Sequence, residues 1–183
     1  MLHLNTSAYL QPELLANIEV LLNEGHSFWQ GLSPEAFVAK VDRTWSPAEN
    51  VVHLLKSTRP VAKALSYPRW LLRLLFGTAT APSRHWIPLR EAYLQKLATG
   101  TEAGSYGPKP SQYHDPIETQ RLLINNLQQA LTLLRSNLER WTETDLDRYQ
   151  LPHPSLGKLT IREMVIFTLF HYHHHFEKVQ AKM

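Results

Sequence analysis

The chain has 183 residues, 43% of them hydrophobic, so it is long and apolar enough to fold as one domain spanning residues 1–183. Cysteine is absent, which excludes disulfide bonds, thiolate metal ligands and a cysteine nucleophile. The net charge of +3 is unevenly distributed, because residues 1–55 carry a net charge of −4 and residues 56–96 one of +7.

The basic middle of the chain has two interpretations. It could attract an anionic substrate or a phosphate backbone, or it could be a solvated basic face. We favour the solvated face, since no basic stretch alternates regularly with aromatic residues, and we expect no nucleic-acid partner.

The sequence also bears on location. No apolar run approaches the roughly 18 residues that a membrane span needs. No basic region followed by an apolar stretch marks a secretion signal at the N-terminus. We therefore expect no membrane association and a cytoplasmic location.

Helical periodicity dominates the first part of the chain. Apolar residues recur at helical spacing from Pro12 to about Leu32, and a short helix can follow at residues 33–36. Residues 46–49 (Ser-Pro-Ala-Glu) form a capping box with proline at the first helical position, which predicts the start of a second long helix. This helix is expected to bend or end near Pro60.

The rest of the chain contains shorter helices followed by two long ones. Residues 68–77 and 89–97 predict short helices, and residues 99–113 are the least ordered-looking part because they are rich in glycine and proline. Capping boxes open a third long helix over residues 115–141 and a last helix that begins at Thr160.

These elements predict the fold class. No stretch shows sustained alternation with a period of two residues bounded by hairpin turns, so no strand is predicted. Four long helices and a few short ones predict an all-α protein, most simply a four-helix bundle. The connection between the second and third long helices has roughly fifty residues, which allows a long crossover between parallel neighbours.

The most informative segment is residues 171–175 (His-Tyr-His-His-His) in the apolar last helix. Imidazole is the commonest side chain that binds divalent metals in proteins. At about 100° per residue, His175 lies about 40° from His171 on the core side, whereas His174 lies about 60° away on the other side. His171 and His175 can therefore bind one metal ion together.

A third metal ligand must come from another segment. His53 has the best position, because it lies in the middle of the second long helix, whose capping box and proline give it a rigid base. Four other histidines compete with it: His26, His85, His114 and His153. A lone histidine in an apolar helix is more often a core residue that binds a carbonyl, and this alternative stays open for His53.

Three segments carry a pattern in a fixed order: residues 45–54 (WSPAENVVHL), residues 153–160 (HPSLGKLT) and residues 171–175 (HYHHH). They resemble, in turn, the segment with the first metal histidine, the connector into the last helix and the closing His-x-x-x-His motif of the DinB/YfiT-like family. The resemblance implies a four-helix bundle with a long crossover between helices 2 and 3. It also implies a divalent metal ion bound by His53, His171 and His175.

The resemblance has consequences for chemistry as well. Zinc or nickel is the ion that we most expect, with iron or manganese as alternatives. Three neutral imidazoles leave positions on such an ion where water becomes acidic or a thiol ionises. Some relatives look like thiol-dependent transferases or isomerases that use a low-molecular-weight thiol in this way. We therefore predict thiol transfer or hydrolysis on a small-molecule substrate.

Several residues are candidates for supporting roles. Glu49, Tyr172 and His174 are candidates for orienting the ligand imidazoles, although Glu49 is better suited to closing the capping box with Ser46. Candidate anchors for a carboxylate-bearing thiol lie in the basic middle: Arg69, Arg73, Arg84 and Arg90.

Two other functions compete with the enzyme. One is a non-catalytic helical domain that acts as an interaction module, in which residues 70–76, rich in leucine and tryptophan, form a homodimer surface or cover the site. The other is nucleic-acid binding through the basic middle, which ranks lowest because no groove-reading motif is present.

Overall fold

The computed structural model describes residues 2–41, 44–100, 103–109 and 113–183, and within them the chain is mainly helical. In chain order the elements are α1 (Gln11–Val20), a π-helical turn (Leu21–Gly25), α2 (His26–Gly31), α3 (Pro34–Val38), α4 (Pro47–Ala64), α5 (Arg69–Phe76), α6 (Trp86–Ala98), a 3-10 turn (Gly104–Tyr106), α7 (Pro116–Leu138), α8 (Glu143–Arg148), β1 (Gln150–His153), β2 (Gly157–Thr160) and α9 (Ile161–Gln180). The two strands pair antiparallel.

The helices that carry the later site begin at predicted caps. The Ser46 hydroxyl accepts a hydrogen bond from the Glu49 N–H, and the Glu49 carboxylate accepts one from the Ser46 N–H at 2.9 Å. Thr160 and Glu163 form the same reciprocal pair at the start of α9. Both capping boxes are confirmed, so α4 and α9 start at fixed positions.

The third predicted capping box is only half formed. Asp115 accepts a hydrogen bond from the Glu118 N–H at 3.0 Å. The Glu118 carboxylate instead accepts hydrogen bonds from the Arg121 guanidinium. A nearby arginine offers a charge-assisted bond, which is stronger than one from a neutral N–H.

The four longest helical segments pack around one core. The continuous segment made of α1, the π-helical turn and α2 packs against α7 and α9, and α4 packs against the same two helices. Buried apolar side chains come from all four segments, among them Ile18, Leu54, Leu131 and Val165. This packing brings the middle of α4 beside the C-terminal half of α9.

The all-α prediction is wrong for residues 150–160, which form the β1–β2 hairpin. Leu151 pairs with Leu159 and both are buried, while Gly157 has a φ of +75° that suits glycine. Strands of four residues are too short to show a sustained alternation of apolar and polar residues. Pro152 also argues against a strand in the sequence, because proline has no N–H for pairing. The prediction of a mainly helical protein is confirmed.

Helix α4 does not end at Pro60 but continues to Ala64. The proline removes one hydrogen bond inside the helix. Val61 and Ala62 directly after it are buried, and the Asn137 side chain donates a hydrogen bond to the Ala62 carbonyl at 2.8 Å. These contacts with the core and α7 offset the lost bond.

The crossover between α4 and α7 contains the two predicted short helices, α5 and α6, and the 3-10 turn. The 3-10 turn lies inside the segment predicted to be least ordered. Residues 101–102 and 110–112 of that segment lie outside the described residues. The crossover therefore supplies ordered elements beside the core.

Helix α5 exposes much of its apolar surface. Leu72 is buried, whereas Trp70 is 67% exposed and Leu74 is 74% exposed. The homodimer surface on this segment stays a prediction. Among the described helices, none combines the length and the apolar character that crossing a membrane requires.

Candidate metal centre

Three imidazoles from two helices converge in the core. His53 lies on α4, while His171 and His175 lie one turn apart on α9, and their exposed fractions are only 5%, 4% and 5%. The His171 Nε2 atom lies 2.9 Å from the His53 Nε2 and 3.2 Å from the His175 Nε2. The structure thus brings together the three residues that the sequence singled out, and their ligand atoms lie within 4.8 Å of one another.

The outer nitrogens of two rings reach acceptors that fix their protons. His53 Nδ1 lies 2.9 Å from the Tyr106 carbonyl, and His175 Nδ1 lies 2.7 Å from the Asn50 Oδ1. The Asn50 Nδ2 donates to two backbone carbonyls, so the orientation of its amide follows from the hydrogen bonds. Both acceptors are oxygens without a proton, and therefore both Nδ1 atoms carry one.

The third ring has a weaker outer contact. His171 Nδ1 lies 3.5 Å from the Ser57 hydroxyl oxygen. That hydroxyl donates within α4, to the carbonyl of His53 or Leu54, so its lone pair faces the imidazole. A separation of 3.5 Å is at the long end for a hydrogen bond, so this ring is the least restrained of the three.

The donor set fits a divalent metal ion. With Nδ1 protonated, the Nε2 atoms of His53 and His175 present lone pairs that both face the His171 Nε2. One N–H on His171 can satisfy only one of these two contacts, whereas a cation between the rings satisfies all three nitrogens. Nitrogens bound tetrahedrally at about 2.0–2.1 Å from zinc lie about 3.3 Å apart, close to the separations found here.

Burial keeps the three rings neutral. It lowers the pKa of His171 and of His175 well below the usual range, and the neighbouring histidines lower both further. It also lowers the pKa of His53, although the hydrogen bond to the Tyr106 carbonyl opposes the shift. Neutral imidazole is the form that binds a metal, so the triad is in its binding form at pH 7.

Aromatic side chains form the walls around the triad. Trp45 stacks on His175 with an interplanar angle of 9° and a centroid distance of 6.0 Å, and it lies 5.1 Å from the His53 ring. Phe167 stacks on His171 at 5.2 Å. These rings restrict the rotation of the imidazoles and exclude water from their faces.

The three residues predicted to orient the imidazoles have other partners or none. Glu49 closes its capping box with Ser46, as the sequence favoured, and pairs with Lys40 at 2.8 Å. The Tyr172 hydroxyl accepts a hydrogen bond from the Trp29 indole of α2 at 2.6 Å. The His174 Nε2 is buried without a hydrogen-bond partner among the described residues.

The histidines that competed with His53 lie outside the triad. His85 stacks on Tyr9 at 4.1 Å, and His114 is exposed. His26 is the first residue of α2, and its Nδ1 is buried without a hydrogen-bond partner among the described residues. His153 lies in the wall of the cavity described below, where its ring and that of Phe167 pack edge to face with a centroid distance of 4.3 Å.

Sequence reasoning missed two groups that orient the site. Asn50 could have been found, because it lies three residues before His53 and therefore on the same face of α4. The Tyr106 carbonyl had no sequence signal, because any residue offers a backbone oxygen. Its position depends on how the crossover folds back over α4, where Lys56 donates to the Gly107 carbonyl at 2.5 Å.

A cavity of about 1050 Å³ opens over the triad. Its walls come from α4, α6, the 3-10 turn, the β1–β2 hairpin and α9. Most of the lining side chains are apolar or aromatic, among them Tyr67, Phe76, Tyr93, Leu97 and Met164. Such a cavity suits a small organic molecule whose reacting end reaches the histidines.

The predicted arginine anchors are wrong, because none of the four lines this cavity. Arg69 stacks on the Trp141 ring at 3.5 Å and pairs with Asp145. Arg84 pairs with Glu163 at 2.6 Å. These arginines support the packing between the crossover and the C-terminal elements.

Comparison with known proteins agrees with the helical fold and the triad. A family model described as the DinB superfamily matches residues 19–179, a range that includes both helices of the triad. Among curated proteins, none matches the chain. Since the family match covers most of the sequence, the chain belongs to the DinB superfamily.

Proposed function

We propose that this protein is a metal-dependent enzyme in which His53, His171 and His175 bind one divalent ion and the cavity binds a small substrate. The observation that carries the proposal is the convergence of three buried, neutral imidazole nitrogens at the floor of a cavity. Membership of the DinB superfamily supports the same role. Zinc or nickel suits this all-nitrogen set best, with iron or manganese as alternatives.

The reaction that we propose is thiol transfer or hydrolysis. A divalent ion held by three neutral imidazoles supplies a Lewis acid, which lowers the pKa of a thiol or a water molecule that it binds. Among the described residues that line the cavity, none is an aspartate or a glutamate. The described part of the site therefore offers no carboxylate base, in agreement with chemistry that depends on the ion.

Other cavity residues position the substrate by donating hydrogen bonds. The His153 Nδ1 accepts a hydrogen bond from the Leu156 N–H at 3.2 Å, so its Nε2 carries the proton in the neutral ring. Burial lowers the pKa of His153 to about 4, and it raises the pKa of Tyr93. Both groups are therefore neutral donors at pH 7.

We further propose that the chain is a four-helix bundle whose long crossover shapes the substrate site. The mutual packing of the four longest helical segments supports this description. Residues of the crossover, among them Tyr93 and Leu97 of α6 and Gly104 of the 3-10 turn, line the cavity. Substrate selectivity then depends on the crossover, and metal binding depends on α4 and α9.

Elemental analysis of protein purified without a histidine tag tests the metal site. We expect about one ion per chain in the wild type, and loss of it in His53→Ala and in His171→Ala. His173→Ala is the matched control, because His173 lies on the same helix but pairs with Glu177 rather than with the triad. If the His53 and His171 variants keep their metal, the proposed ligand set is wrong.

Turnover tests the reaction. Three preparations are compared: metal-loaded wild type, chelator-treated wild type and the His171→Ala variant. The first assay supplies 1-chloro-2,4-dinitrobenzene with glutathione or cysteine. The second assay supplies p-nitrophenyl acetate without a thiol. Turnover in the first assay that requires the metal supports thiol transfer, and turnover in the second supports hydrolysis. If all three preparations give equal background rates across a wider panel of thiols and esters, the enzymatic proposal is contradicted.

One observation favours the alternative of an interaction module. The exposed Trp70 and Leu74 on α5 form an apolar surface of the kind that binds partner proteins. This surface lies on the crossover and does not exclude an enzymatic role for the triad. A metal-loaded protein with no turnover would favour this second function.

A further inference from the structure

The charged side chains that line the cavity over the triad are all positive in the described part of the chain. Two lysines line it, Lys178 and Lys182, and among the described lining residues no carboxylate accompanies them. The remaining described lining residues include no arginine, aspartate or glutamate. The formal charge in this cavity is therefore positive before any metal is bound.

Both lysines lie just beyond the triad, at the C-terminal end of α9 and in the turn after it. Lys178 follows His175 by three residues on α9, a spacing that puts both side chains on one side of the helix, and Lys182 lies in the turn that follows the end of α9 at Gln180. At 1.5 Å per residue, Lys178 lies about 4.5 Å beyond His175 along the helix axis. A single small molecule can therefore place an anionic group between the two lysines and its other end at the metal site.

Neither lysine forms an ion pair with a carboxylate in the described part of the chain. The nearest acidic residue on α9, Glu177, pairs with His173 on another face. Both lysines are exposed at the edge of the cavity, and partial desolvation together with the charge of Lys182 lowers the pKa of Lys178. Two like charges beside one apolar cavity are left for a ligand to neutralise.

The rest of the cavity suits an apolar body. Phe76, Leu97, Leu151, Met164 and Phe167 line it, and its volume of about 1050 Å³ exceeds what a short aliphatic or aromatic chain fills. Apolar side chains bind through burial of surface, whereas the lysines bind through charge. The two kinds of contact select different ends of one molecule.

We propose that the cavity binds an amphiphilic substrate that has an apolar body and an anionic head group, a carboxylate or a phosphate, held by Lys178 and Lys182. The inference rests on the proposed function for the position of the reacting end, which points toward His53, His171 and His175. A thiol cosubstrate with a carboxylate satisfies the same description.

A different explanation is that the two lysines only stabilise the C-terminal end of α9 through the helix dipole. In that case their removal changes stability and leaves ligand preference unchanged. Binding measured on folded variants separates the two explanations.

The test compares three ligands with the same eight-carbon chain: octanoate, octyl phosphate and octanol. Their affinities are measured by calorimetry at pH 7.5 and low salt on chelator-treated protein, so that the head group cannot bind a metal. We expect both anions to bind more tightly than octanol, and Lys178→Ala/Lys182→Ala to weaken anion binding about five- to tenfold with octanol unchanged. The anion whose affinity exceeds that of octanol by the larger factor identifies the preferred head group.

Lys63→Ala is the matched control, because Lys63 lies in the last turn of α4 but does not line the cavity. It should leave all three affinities unchanged. A charge-reversed variant, Lys178→Glu/Lys182→Glu, should instead prefer octylammonium to octanoate.

Two results would overturn the inference: equal binding of octanol and octanoate by the wild type, or unchanged octanoate binding by the double alanine variant. Neither result bears on metal content. Conversely, a chain that binds no metal can still show the anion preference, so failure of the proposed function and failure of this inference are distinguishable.

Discussion

At the scale of single residues, protons on the outer nitrogens decide whether the triad can bind a metal. Asn50 and the Tyr106 carbonyl hold the protons on His175 and His53, so the inner nitrogens keep their lone pairs. Ser57 does the same for His171 over a longer distance. The metal affinity of the site should therefore depend more on Asn50 than on Ser57.

The first prediction concerns these outer partners. We expect Asn50→Ala to weaken zinc affinity about 10- to 100-fold, because the His175 ring loses the acceptor that fixes its tautomer. Ser57→Ala should have a smaller effect. Competition with a zinc-binding dye measures both affinities, and urea unfolding of the metal-free variants shows how much of each change is structural. Equal affinities for Asn50→Ala and the wild type would contradict the role of Asn50.

The second prediction concerns His153 and pH. Burial lowers the pKa of His153 from its ordinary value of 6.5 to about 4. Between these values the unfolded chain binds more protons than the folded one, so the free energy of unfolding falls as pH falls. The contribution of this residue is intact above pH 6.5 and is lost toward pH 4, at up to about 1.4 kcal/mol per pH unit.

His153→Asn tests that prediction, because asparagine keeps an acceptor for the Leu156 N–H and removes the titration. Urea unfolding of metal-free protein between pH 7.5 and pH 4 should show a shallower loss of stability for the variant. Parallel curves for variant and wild type would mean that His153 titrates normally in the folded state.

At the scale of elements, the π-helical turn ends at a glycine that lies in close contact with α9. A Cβ atom on Gly25 would lie 2.5 Å from the Tyr172 hydroxyl oxygen, and that hydroxyl is held by the Trp29 indole. Glycine at this position lets the first helical segment lie directly against α9. Tyr172 directly follows His171 in α9, so this contact fixes the helical segment that carries His171 and His175.

The third prediction follows from this contact. Gly25→Ala should lower the free energy of unfolding by about 1–3 kcal/mol, because Tyr172 has no room to move. Gly31→Ala is the control, since a Cβ atom there would meet nothing within 4 Å. It should be neutral or slightly stabilising, as alanine favours helix more than glycine does. Equal effects of the two substitutions, measured by urea unfolding, would exclude the close contact as the cause.

The elements also show where sequence patterns succeed and fail. The capping boxes at Ser46 and Thr160 predicted the starts of α4 and α9, because both partners lie within four residues of each other. The same pattern at Asp115 failed in part, because Arg121 competes for Glu118. Pro60 did not end its helix, because contacts with distant α7 outweigh a local preference.

At the scale of the whole molecule, the triad joins residues that are 118 positions apart in the chain. An ion bound by α4 and α9 is bound by the folded state, since the unfolded chain does not hold these rings together. Metal binding should therefore stabilise the entire fold.

The fourth prediction is that zinc at about 100 times its dissociation constant raises the free energy of unfolding by about 2.7 kcal/mol. Chemical denaturation of chelator-treated protein with and without zinc measures the increase. His171→Ala should show no increase at the same zinc concentration. A zinc effect of equal size in this variant would place the bound ion elsewhere.

By itself, the sequence determined the long helices and the capping boxes at Ser46 and Thr160, and it favoured His53, His171 and His175 as the candidate ligands. Helical spacing put His171 and His175 on one face, and a rigid helix start favoured His53. Each of these signals lies within a few residues, where backbone geometry is regular enough to be read from the chain.

Only the tertiary structure decided what surrounds those histidines. The Tyr106 carbonyl, the stacking of Trp45 and the cavity lysines Lys178 and Lys182 depend on how the crossover folds over α4 and α9. The candidate arginine anchors failed for the same reason, since net charge along a segment does not say which side of a helix faces a cavity. Packing between segments that are distant in the chain sets these positions, and local sequence patterns do not predict that packing.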